Sequence, residues 1–357
     1  MRPITTDCSR MLLVLYAWTP MTLLAAAAVV AAAFMYRRRR LTVSPECKAV
    51  LITGCDHGFG NILARQLDRE GYKIFAGCLD INSEGAKDLR SETSSKLSLL
   101  QLDVTDDAQI ESARSIIAET LNGHVLWAVV NNAAVFDYAW FEWHPKVQFK
   151  KLMDINFMGL VNVTRTFLPL VRAAKGRIIN MSSLAGRMVL PGQAAYSSSK
   201  FAVLGFSEGL RREMSVFGVN VITVEPSLYN TGMPAADAVC SRNESFWASA
   251  EPGIKRDYGE SYFRETQAAW GRILHFGSNN IKQVIDCYVH AVTAVHPQTR
   301  YTPPFYMGAL ADAMNMLMPA LQDCLIRIII GISAKPDMIS PFCAEKFRTG
   351  RRRSRAY

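Results

Sequence analysis

The stretch AVLITGCDHGFG, residues 49–60, decides the fold of this chain. It opens with a β-branched apolar run, Ala49–Thr53, that is typical of a buried strand. Three glycines then follow: Gly54, Gly58 and Gly60. Glycine allows a tight turn and a close approach of backbone to a pyrophosphate, and the amides and dipole of a following helix hold the anion. We predict that helix over residues 61–70 and a dinucleotide site at the turn, with a plain turn as the alternative.

The rest of the chain alternates apolar runs with amphipathic stretches, which is typical of a parallel sheet with helices on both faces. The predicted strands are Ala49–Thr53, Lys73–Cys78, Leu97–Leu102, Leu126–Val130, Gly176–Met181 and Val219–Val224. We therefore expect an α/β fold, a Rossmann-type doubly wound parallel sheet that forms a single domain over residues 49–300 and follows an N-terminal transmembrane helix.

The transmembrane helix is predicted from residues 11–36, which carry no charged side chain. A helix of this length reaches about 39 Å, enough to cross a hydrocarbon core. Residues 1–10 form a short flank before this anchor, and residues 37–48 form a basic linker after it. A cleaved signal peptide is the alternative, but the four arginines at 37–40 favour a stop against the membrane. They also predict a single-pass protein with a cytosolic catalytic domain, in the endoplasmic reticulum or, alternatively, a mitochondrial membrane.

The formal net charge of +9, from 40 basic and 31 acidic side chains, is concentrated at two places. Residues 37–40 supply four positive charges, and the C-terminal tail supplies five: Arg348, Arg351, Arg352, Arg353 and Arg355. The remainder is formally neutral, which argues against nucleic acid and for a membrane surface as a partner. The 8 cysteines show no CxxC or paired spacing, so they predict neither a metal site nor an oxidising compartment.

The last segment, residues 301–357, combines an apolar stretch with the basic tail. The apolar stretch, Met307–Ile332, is interrupted by Pro319 and by three charged residues. It is too polar for a second span, and it fits an amphipathic helix that lies on the membrane or forms a lid over a pocket.

Four motifs carry a family resemblance. They are TGCDHGFG at 53–60, LDVT at 102–105, NNAA at 131–134 and SSLAGRMVLPGQAAYSSSK at 182–200. In order and spacing they resemble the short-chain dehydrogenase/reductase family over about residues 49–231. Details such as GCDHGFG and AAYSSSKFAV are most similar to its membrane-bound branch, which holds retinol dehydrogenases, type 2 17β-hydroxysteroid dehydrogenase and mitochondrial 3-hydroxybutyrate dehydrogenase. The resemblance implies an NAD(P)-dependent alcohol oxidoreductase, with a homodimer among the assemblies that it allows.

The resemblance also implies a set of cofactor-binding residues. They are Gly54, Gly58, Phe59, Gly60, Asp80, Asp103, Val104, Asn131, Ala133, Tyr196, Lys200 and Thr231. Among them, Asp103 would accept from the adenine amino group, and Thr231 would reach the nicotinamide carboxamide. Asp80 follows the second strand and favours NAD, because a carboxylate accepts from a ribose 2′-hydroxyl and repels a 2′-phosphate. NADP stays the alternative, since Asp80 lies one or two positions late and is equally suited to cap a helix.

The predicted catalytic residues are Tyr196, Lys200, Ser183 and Asn156. Tyr196 and Lys200 are four residues apart, so on a helix they share one face. An ammonium group lowers the pKa of a nearby phenol from about 10, which suits Tyr196 to proton transfer with an alcohol or ketone. Ser183 can hydrogen-bond the same substrate oxygen, and the resemblance implies that Asn156 holds a water linking Lys200 to solvent. We expect hydride transfer at the nicotinamide coupled to proton transfer through Tyr196.

Two positions depart from the family pattern. Ala134 and Ser227 stand where the family has glycines close to the cofactor. A positive φ at either would cost roughly 1 kcal/mol or more. A catalytically weak, membrane-anchored nucleotide-binding scaffold is therefore the alternative to an enzyme.

The expected substrate side is aromatic-rich. Ligands of doubly wound sheets bind beyond the C-terminal strand edges, where residues 135–144 and 228–266 follow their strands. We interpret 228–266 as an apolar lid, with a loop packed on the core as the alternative. Together with the anchor, this favours a lipophilic substrate, a steroid first and a retinoid second. A short hydroxy acid fits poorly, because the lid offers no arginine clamp.

Two further expectations concern polar residues near this lid. Asn243 begins an N-x-Ser acceptor in the predicted lid loop, so a lumenal domain would carry a glycan there, and we expect none. His144, His275 and His296 show no ligand-like spacing, and we expect them to be structural.

Overall fold

The computed structural model describes residues 41–230, 236–332 and 335–339. Its centre is a parallel sheet of seven strands in the order β3-β2-β1-β4-β5-β6-β7. The strands are β1 (Lys48–Thr53), β2 (Lys73–Cys78), β3 (Leu97–Gln101), β4 (Val125–Asn131), β5 (Arg177–Met181), β6 (Asn220–Val224) and β7 (Arg300–Tyr301). The strand order reverses between β1 and β4, which confirms the predicted doubly wound architecture.

Helices connect and follow the strands, and several of them cover both faces of the sheet. They are α1 (Gly58–Arg69), α2 (Glu84–Ser91), α3 (Asp107–Thr120), α4 (Lys146–Met153), α5 (Leu160–Ala173), α6 (Ala194–Met214), α7 (Ala236–Ala248), α8 (Pro252–Tyr258), α9 (Glu260–His275), α10 (Lys282–Thr293), α11 (Phe305–Asn315) and α12 (Pro319–Ile330). The coverage follows from β1, where Val50 and Ile52 pack into one apolar cluster while Ala49 and Leu51 pack into another. Successive side chains of a strand point to opposite faces, so an uninterrupted apolar strand needs helices on both.

The six predicted strands are present within one residue at each end, and the sequence missed β7. Its two residues pair with Thr223 and Val224 of β6. A strand of two residues has no detectable period, which explains the omission. Helix α1 begins at Gly58, three residues before the predicted start.

Two features concern the ends of the chain. Residues 41–44 and Thr293–Pro297 belong to one small unit. In it, Thr42 pairs with Ala294 in an antiparallel bridge, and Val43 N donates to Thr293 O over 2.7 Å. The predicted anchor, residues 11–36, and the basic tail lie outside the described residues. Across 41–230, 236–332 and 335–339, no helix is long and apolar enough to span a membrane.

The predicted amphipathic C-terminal segment forms two helices, α11 and α12. Pro319 occupies the first turn of α12, where its missing amide hydrogen costs nothing, and it therefore starts a new helix after residue 315. Helix α11 packs against a 3-10 turn, Leu184–Gly186, and α12 packs against α9.

Candidate active site

The glycine-rich turn after β1 has the backbone that the sequence predicts. Gly54 and Gly58 have φ of +70° and +66°, a region that favours glycine. A Cβ on Gly60 would lie 2.3 Å from Gly54 O and 2.6 Å from Asn132 Nδ2. Only glycine therefore lets α1 begin this close to the end of β1.

The start of α1 fits a bound anion. Its first turn contains no acidic residue, and the residue that precedes it, His57, makes no side-chain capping hydrogen bond. Amides at a helix N-terminus that no side chain caps attract negative charge, and this one lies at the point where the strand order reverses. These residues fit the pyrophosphate of a dinucleotide.

The NNAA motif braces this turn. Thr53 Oγ1 accepts from Asn132 N and Ala133 N over 3.1 and 3.0 Å. Asn132 Nδ2 in return donates to Thr53 O and Gly54 O over 2.9 and 3.1 Å. Ala133 is among the predicted cofactor-binding residues, whereas Asn132, which adjoins it in the same motif, is not.

Asn131 has a different place from its neighbour. Its Nδ2 donates to Thr164 Oγ1 and to Asn180 Oδ1, both over 2.8 Å, and the residue is buried. These bonds tie the end of β4 to α5 and β5. Asn131 lies at the end of β4, where it can support a cofactor site from behind. Its side-chain nitrogen already donates two hydrogen bonds within the protein.

Asp80 lies exposed just after β2, as expected. Its Oδ1 accepts from Asn82 N over 2.8 Å, whereas Ser83 caps α2. Asp56, which lies in the glycine-rich turn and is not among the predicted site residues, accepts from Leu79 N and Asp80 N over 2.9 Å each. Asp56 therefore fixes the backbone that presents the Asp80 carboxylate.

The LDVT motif adjoins the catalytic segment. Asp103 Oδ1 accepts from the backbone and the hydroxyl of Thr105 over 2.8 and 2.7 Å. Val104 is buried, and a Cβ on Gly159 would lie 2.6 Å from its Cγ2. Gly159 ends a π-helical turn, Asp154–Gly159, so close packing joins the predicted adenine-side segment to the turn that carries Asn156.

Tyr196 and Lys200 lie together on α6, and both are buried. The Lys200 Nζ lies 5.6 Å from the centroid of the Tyr196 ring and donates to Met181 O over 3.2 Å. The Ser183 side chain lies close to that of Tyr196, and its hydroxyl donates to Pro226 O over 3.3 Å. The structure therefore brings these three predicted residues into one site.

The expected protonation of this pair needs correction. We predicted that Lys200 lowers the pKa of Tyr196, but burial raises the pKa of Tyr196 to about 12, and only the interaction with the nearby Ser183 side chain opposes it. Burial also lowers the pKa of Lys200 to about 7. Loss of solvent disfavours both charged forms, so desolvation outweighs the attraction that the spacing suggested.

Asn156 connects the site to its surroundings. Its Oδ1 accepts from Val135 N over 2.8 Å, and its Nδ2 donates to Val135 O over 2.9 Å and to Ser199 Oγ over 3.1 Å. Ser199 lies on α6 next to Lys200. Asn156 therefore ties the segment after NNAA to the catalytic helix, and it does so from a π-helical turn, a geometry frequent at functional sites.

The two departures from the family pattern cause no backbone strain. Non-glycine residues with positive φ in the described part of the chain are Cys47, Asn122 and Lys175. Neither Ala134 nor Ser227 belongs to this group, so the expected cost does not arise. Thr231 lies outside the described residues.

A cavity of about 1150 Å³ opens beside Ser183 and Tyr196. One part of its apolar lining comes from α9, α11 and α12, with residues such as Trp270, Ile273, Leu274, Met307, Ile326, Ile329 and Ile330. The other part comes from residues nearer to Ser183 in the chain or from other elements, such as Phe59, Phe136, Met181, Leu184, Met188 and Leu228. Arg272 and His275 are exposed residues at its edge, so His275 lies nearer the site than the sequence indicated. The cavity is large and mostly apolar, with a polar corner where Ser183 and Tyr196 meet.

The predicted lid is helical and has a packed interior of its own. Trp247 and Phe263 stack with ring centroids 4.7 Å apart, and Trp143 packs edge-on against both rings. This aromatic cluster is buried, as the alternative of a loop packed on the core expects, while Asp237 and Val239 at the start of α7 line the cavity. The interpretation of residues 228–266 as an apolar lid stays a prediction.

The expectation that Asn243 is accessible is wrong. Asn243 lies on α7 with 0% exposure, accepts from Trp143 Nε1 over 3.2 Å and donates to Gln267 Oε1 over 2.7 Å. A glycan on this side chain would require α7 to leave the domain. The absence of a glycan at Asn243 therefore says nothing about which side of the membrane the domain faces.

Comparison with known proteins gives consistent matches. A family model described as short chain dehydrogenase matches residues 48–238. The chain is 39% identical over 289 residues to mouse 17-beta-hydroxysteroid dehydrogenase type 6, covering 81% of this chain and 90% of that protein. It is also 39% identical over 280 residues to mouse retinol dehydrogenase 16, covering 78% and 87%.

A solved structure supports the fold. A short chain dehydrogenase/reductase from Burkholderia phymatum, crystallised in complex with NAD, superposes with a TM-score of 0.64 at 21% identity, covering 77% of this chain and 95% of that one. The family model spans more than half of the chain, and it includes the glycine turn, the NNAA brace and the Ser183–Tyr196–Lys200 site described above. This chain therefore belongs to the short-chain dehydrogenase family of alcohol oxidoreductases.

Proposed function

We propose that this protein is a membrane-anchored, NAD(P)-dependent dehydrogenase that interconverts an alcohol and its carbonyl on a lipophilic substrate, a steroid in the first instance. The observation that carries the proposal is the large apolar cavity that meets Ser183 and Tyr196 at its polar corner. A hydroxyl or carbonyl oxygen on an apolar skeleton matches that distribution of polarity.

The residues divide the work at the reacting oxygen. When bound, the nicotinamide supplies or accepts a hydride. Tyr196 gives a proton to the carbonyl oxygen during reduction and takes it back during oxidation. Ser183 donates a hydrogen bond to the same oxygen, and Lys200 holds positive charge near Tyr196 once it is protonated. Asn156 keeps α6 in register with the segment after β4 through Ser199 and Val135.

The cofactor site favours NAD. The glycine turn and the uncapped start of α1 suit the pyrophosphate. The residues proposed to bind it there are Gly54, Gly58, Phe59 and Gly60. Asp80 would accept from the ribose 2′-hydroxyl. Asp103, Val104, Ala133, Tyr196, Lys200 and Thr231 complete the proposed set, with Asn131 behind it. NADP is the competing choice.

A retinol is the competing substrate. The relatives named for steroids and for retinol are equally similar to this chain at 39% identity, so a substrate panel must contain both. The apolar cavity supports either one over a short hydroxy acid.

The decisive variant is Tyr196→Phe in the full chain, assayed with NAD against steroids and retinols. We expect turnover to fall by roughly 10²- to 10⁴-fold, because only the proton-transferring oxygen is removed. NADH affinity, followed by fluorescence titration, should fall far less than turnover, because the aromatic ring at position 196 is kept. Tyr288→Phe is the matched control, since Tyr288 is fully buried on α10, away from the cavity. Near-native turnover of Tyr196→Phe, or a wild type that binds no nucleotide, would favour the scaffold alternative.

Membrane attachment is part of the proposal. The uncharged segment 11–36 and the arginines at 37–40 support a single-pass anchor with the catalytic domain in the cytosol, in the endoplasmic reticulum or a mitochondrial membrane. Protease added to sealed microsomes should digest the catalytic domain without detergent. Protection that is lost only when detergent opens the vesicles would reverse this orientation.

A further inference from the structure

Five charged side chains of alternating sign run from α11 to α6. They are Asp312, Arg187, Glu225, Arg300 and Glu208, and we call them the charge chain. Arg187 Nη2 pairs with Asp312, and Arg187 Nη1 lies 3.8 Å from Glu225. Arg300 Nε lies 3.1 Å from the other oxygen of Glu225, and its Nη2 lies 3.8 Å from Glu208. The charge chain therefore links the wall of the cavity to the helix that carries Tyr196.

The centre of the charge chain is buried although its ends are not. The side chain of Glu225 has 0% exposure and that of Arg187 has 7%, whereas Asp312 has 57%. An exposed pair contributes little on its own, because water screens both charges. A guanidinium that has lost most of its water depends more strongly on its remaining partners. Asp312 thus acts on a poorly hydrated Arg187 rather than on a surface arginine.

Arg187 is joined to the catalytic serine through the backbone. The 3-10 turn Leu184–Gly186 begins after Ser183, and Arg187 N donates to Leu184 O over 2.9 Å. Leu184 N and the Ser183 hydroxyl both bond to Pro226 O, directly after Glu225. The Arg187 guanidinium therefore connects two segments that flank the turn after Ser183: the segment of Glu225 and Pro226, and helix α11 with Asp312.

Asp312 connects Arg187 to the wall of the cavity. It lies on α11, whose first turn contributes Tyr306 and Met307 to the cavity lining. Across the described part of the chain, Arg187 is the residue with which Asp312 forms an ion pair. A shift of α11 away from the turn Leu184–Gly186 would break this pair.

We propose that Asp312 is a positioning residue that, through Arg187, holds the α11 wall of the cavity in place against Ser183 and so sets the preference for large apolar alcohols. The proposal rests on the proposed function for its substrate class. Its structural part, the fixing of α11, does not depend on turnover.

The test uses three variants of the full chain. Asp312→Asn removes the charge and keeps the shape, while Asp312→Glu restores the charge. Asp286→Asn is the matched control, because Asp286 is 60% exposed and pairs with Lys282 Nζ over 2.6 Å on α10. Each variant is examined by hydrogen–deuterium exchange over residues 305–330 and by steady-state kinetics with cyclohexanol and with a steroid alcohol.

We expect faster exchange over residues 305–330 in Asp312→Asn alone. The KM for the steroid should rise about tenfold, because the steroid would lose part of its apolar contact with the α11 wall. The KM for cyclohexanol and the kcat values for both substrates should change much less. Asp312→Glu should restore both readouts. Unchanged exchange in Asp312→Asn, equal effects in Asp286→Asn, or faster exchange with an unchanged steroid KM would each overturn the proposal. A wild type without turnover overturns the proposed function instead, and exchange still decides whether Asp312 fixes α11.

Discussion

Replacing Lys200 with methionine should stabilise the protein at neutral pH and at the same time remove its activity. Lys200 is 1% exposed, and burial lowers its pKa from 10.5 to about 7. A depression of this size corresponds to at most about 5 kcal/mol held against the charged form. Methionine keeps the length without the charge and gives up the bond to Met181 O, worth about 1 kcal/mol. We expect Lys200→Met to gain about 1–3 kcal/mol in the free energy of unfolding at pH 6.5.

The gain must shrink as the pH rises. Between about pH 7 and pH 10.5 the unfolded wild type binds a proton at Lys200 that the folded protein has released, so wild-type stability from this residue increases with pH. Methionine does not titrate. The advantage of Lys200→Met should therefore be largest at pH 6.5 and clearly smaller at pH 9.5.

The assay is urea unfolding of the full chain in a mild detergent, followed by tryptophan fluorescence at these two pH values. Lys146→Met on α4 is the control, since Lys146 is exposed and its replacement should change the free energy of unfolding by less than about 0.5 kcal/mol. Turnover of Lys200→Met should fall about 10²-fold or more. A variant that is less stable than wild type at pH 6.5, or a gain that is the same at pH 9.5, would refute the argument from desolvation.

Three further variants test the support of the site. Asn156→Ala removes three hydrogen bonds of a buried amide and should cost about 2–4 kcal/mol in urea unfolding, whereas a loss under about 1 kcal/mol would contradict the role of this residue as a brace. Gly60→Ala places a Cβ 2.3 Å from Gly54 O and should weaken NADH binding about tenfold or more in calorimetric titration; unchanged affinity would remove this turn from the cofactor site. Asp80→Ala should weaken NAD and strengthen NADP in the same titration, and an unchanged ratio would leave Asp80 without a part in cofactor choice.

The sheet could be predicted from sequence because its signals are local. Ala49–Thr53 is apolar on both faces, and the glycines after it require a turn whatever lies elsewhere in the chain. The lid and β7 lack such signals. Helix α7 has few apolar residues in phase, and its place depends on contacts such as that between Asn243 and Trp143, which are 100 residues apart. The N-x-Ser motif depends on three residues only, whereas the exposure of Asn243 depends on the packing of the folded domain. The motif therefore could not predict that Asn243 is buried.

For Tyr196 and Lys200, too, the sequence predicts the local geometry but not the property that depends on the folded surroundings. A spacing of four places Tyr196 and Lys200 on one face of α6, and this much follows from helix geometry. Their protonation depends on what surrounds that face, including the Phe136 ring, which lies edge-on to Tyr196 at 4.8 Å. A surrounding of this kind removes water from the phenol and the amine together, which moves their pKa values apart and keeps both groups neutral between about pH 7 and about pH 12. A substrate oxygen beside Ser183 would return hydrogen bonding to Tyr196 that burial has taken away. The acid strength of Tyr196 is therefore a property of the occupied cavity, which no motif of five residues can encode.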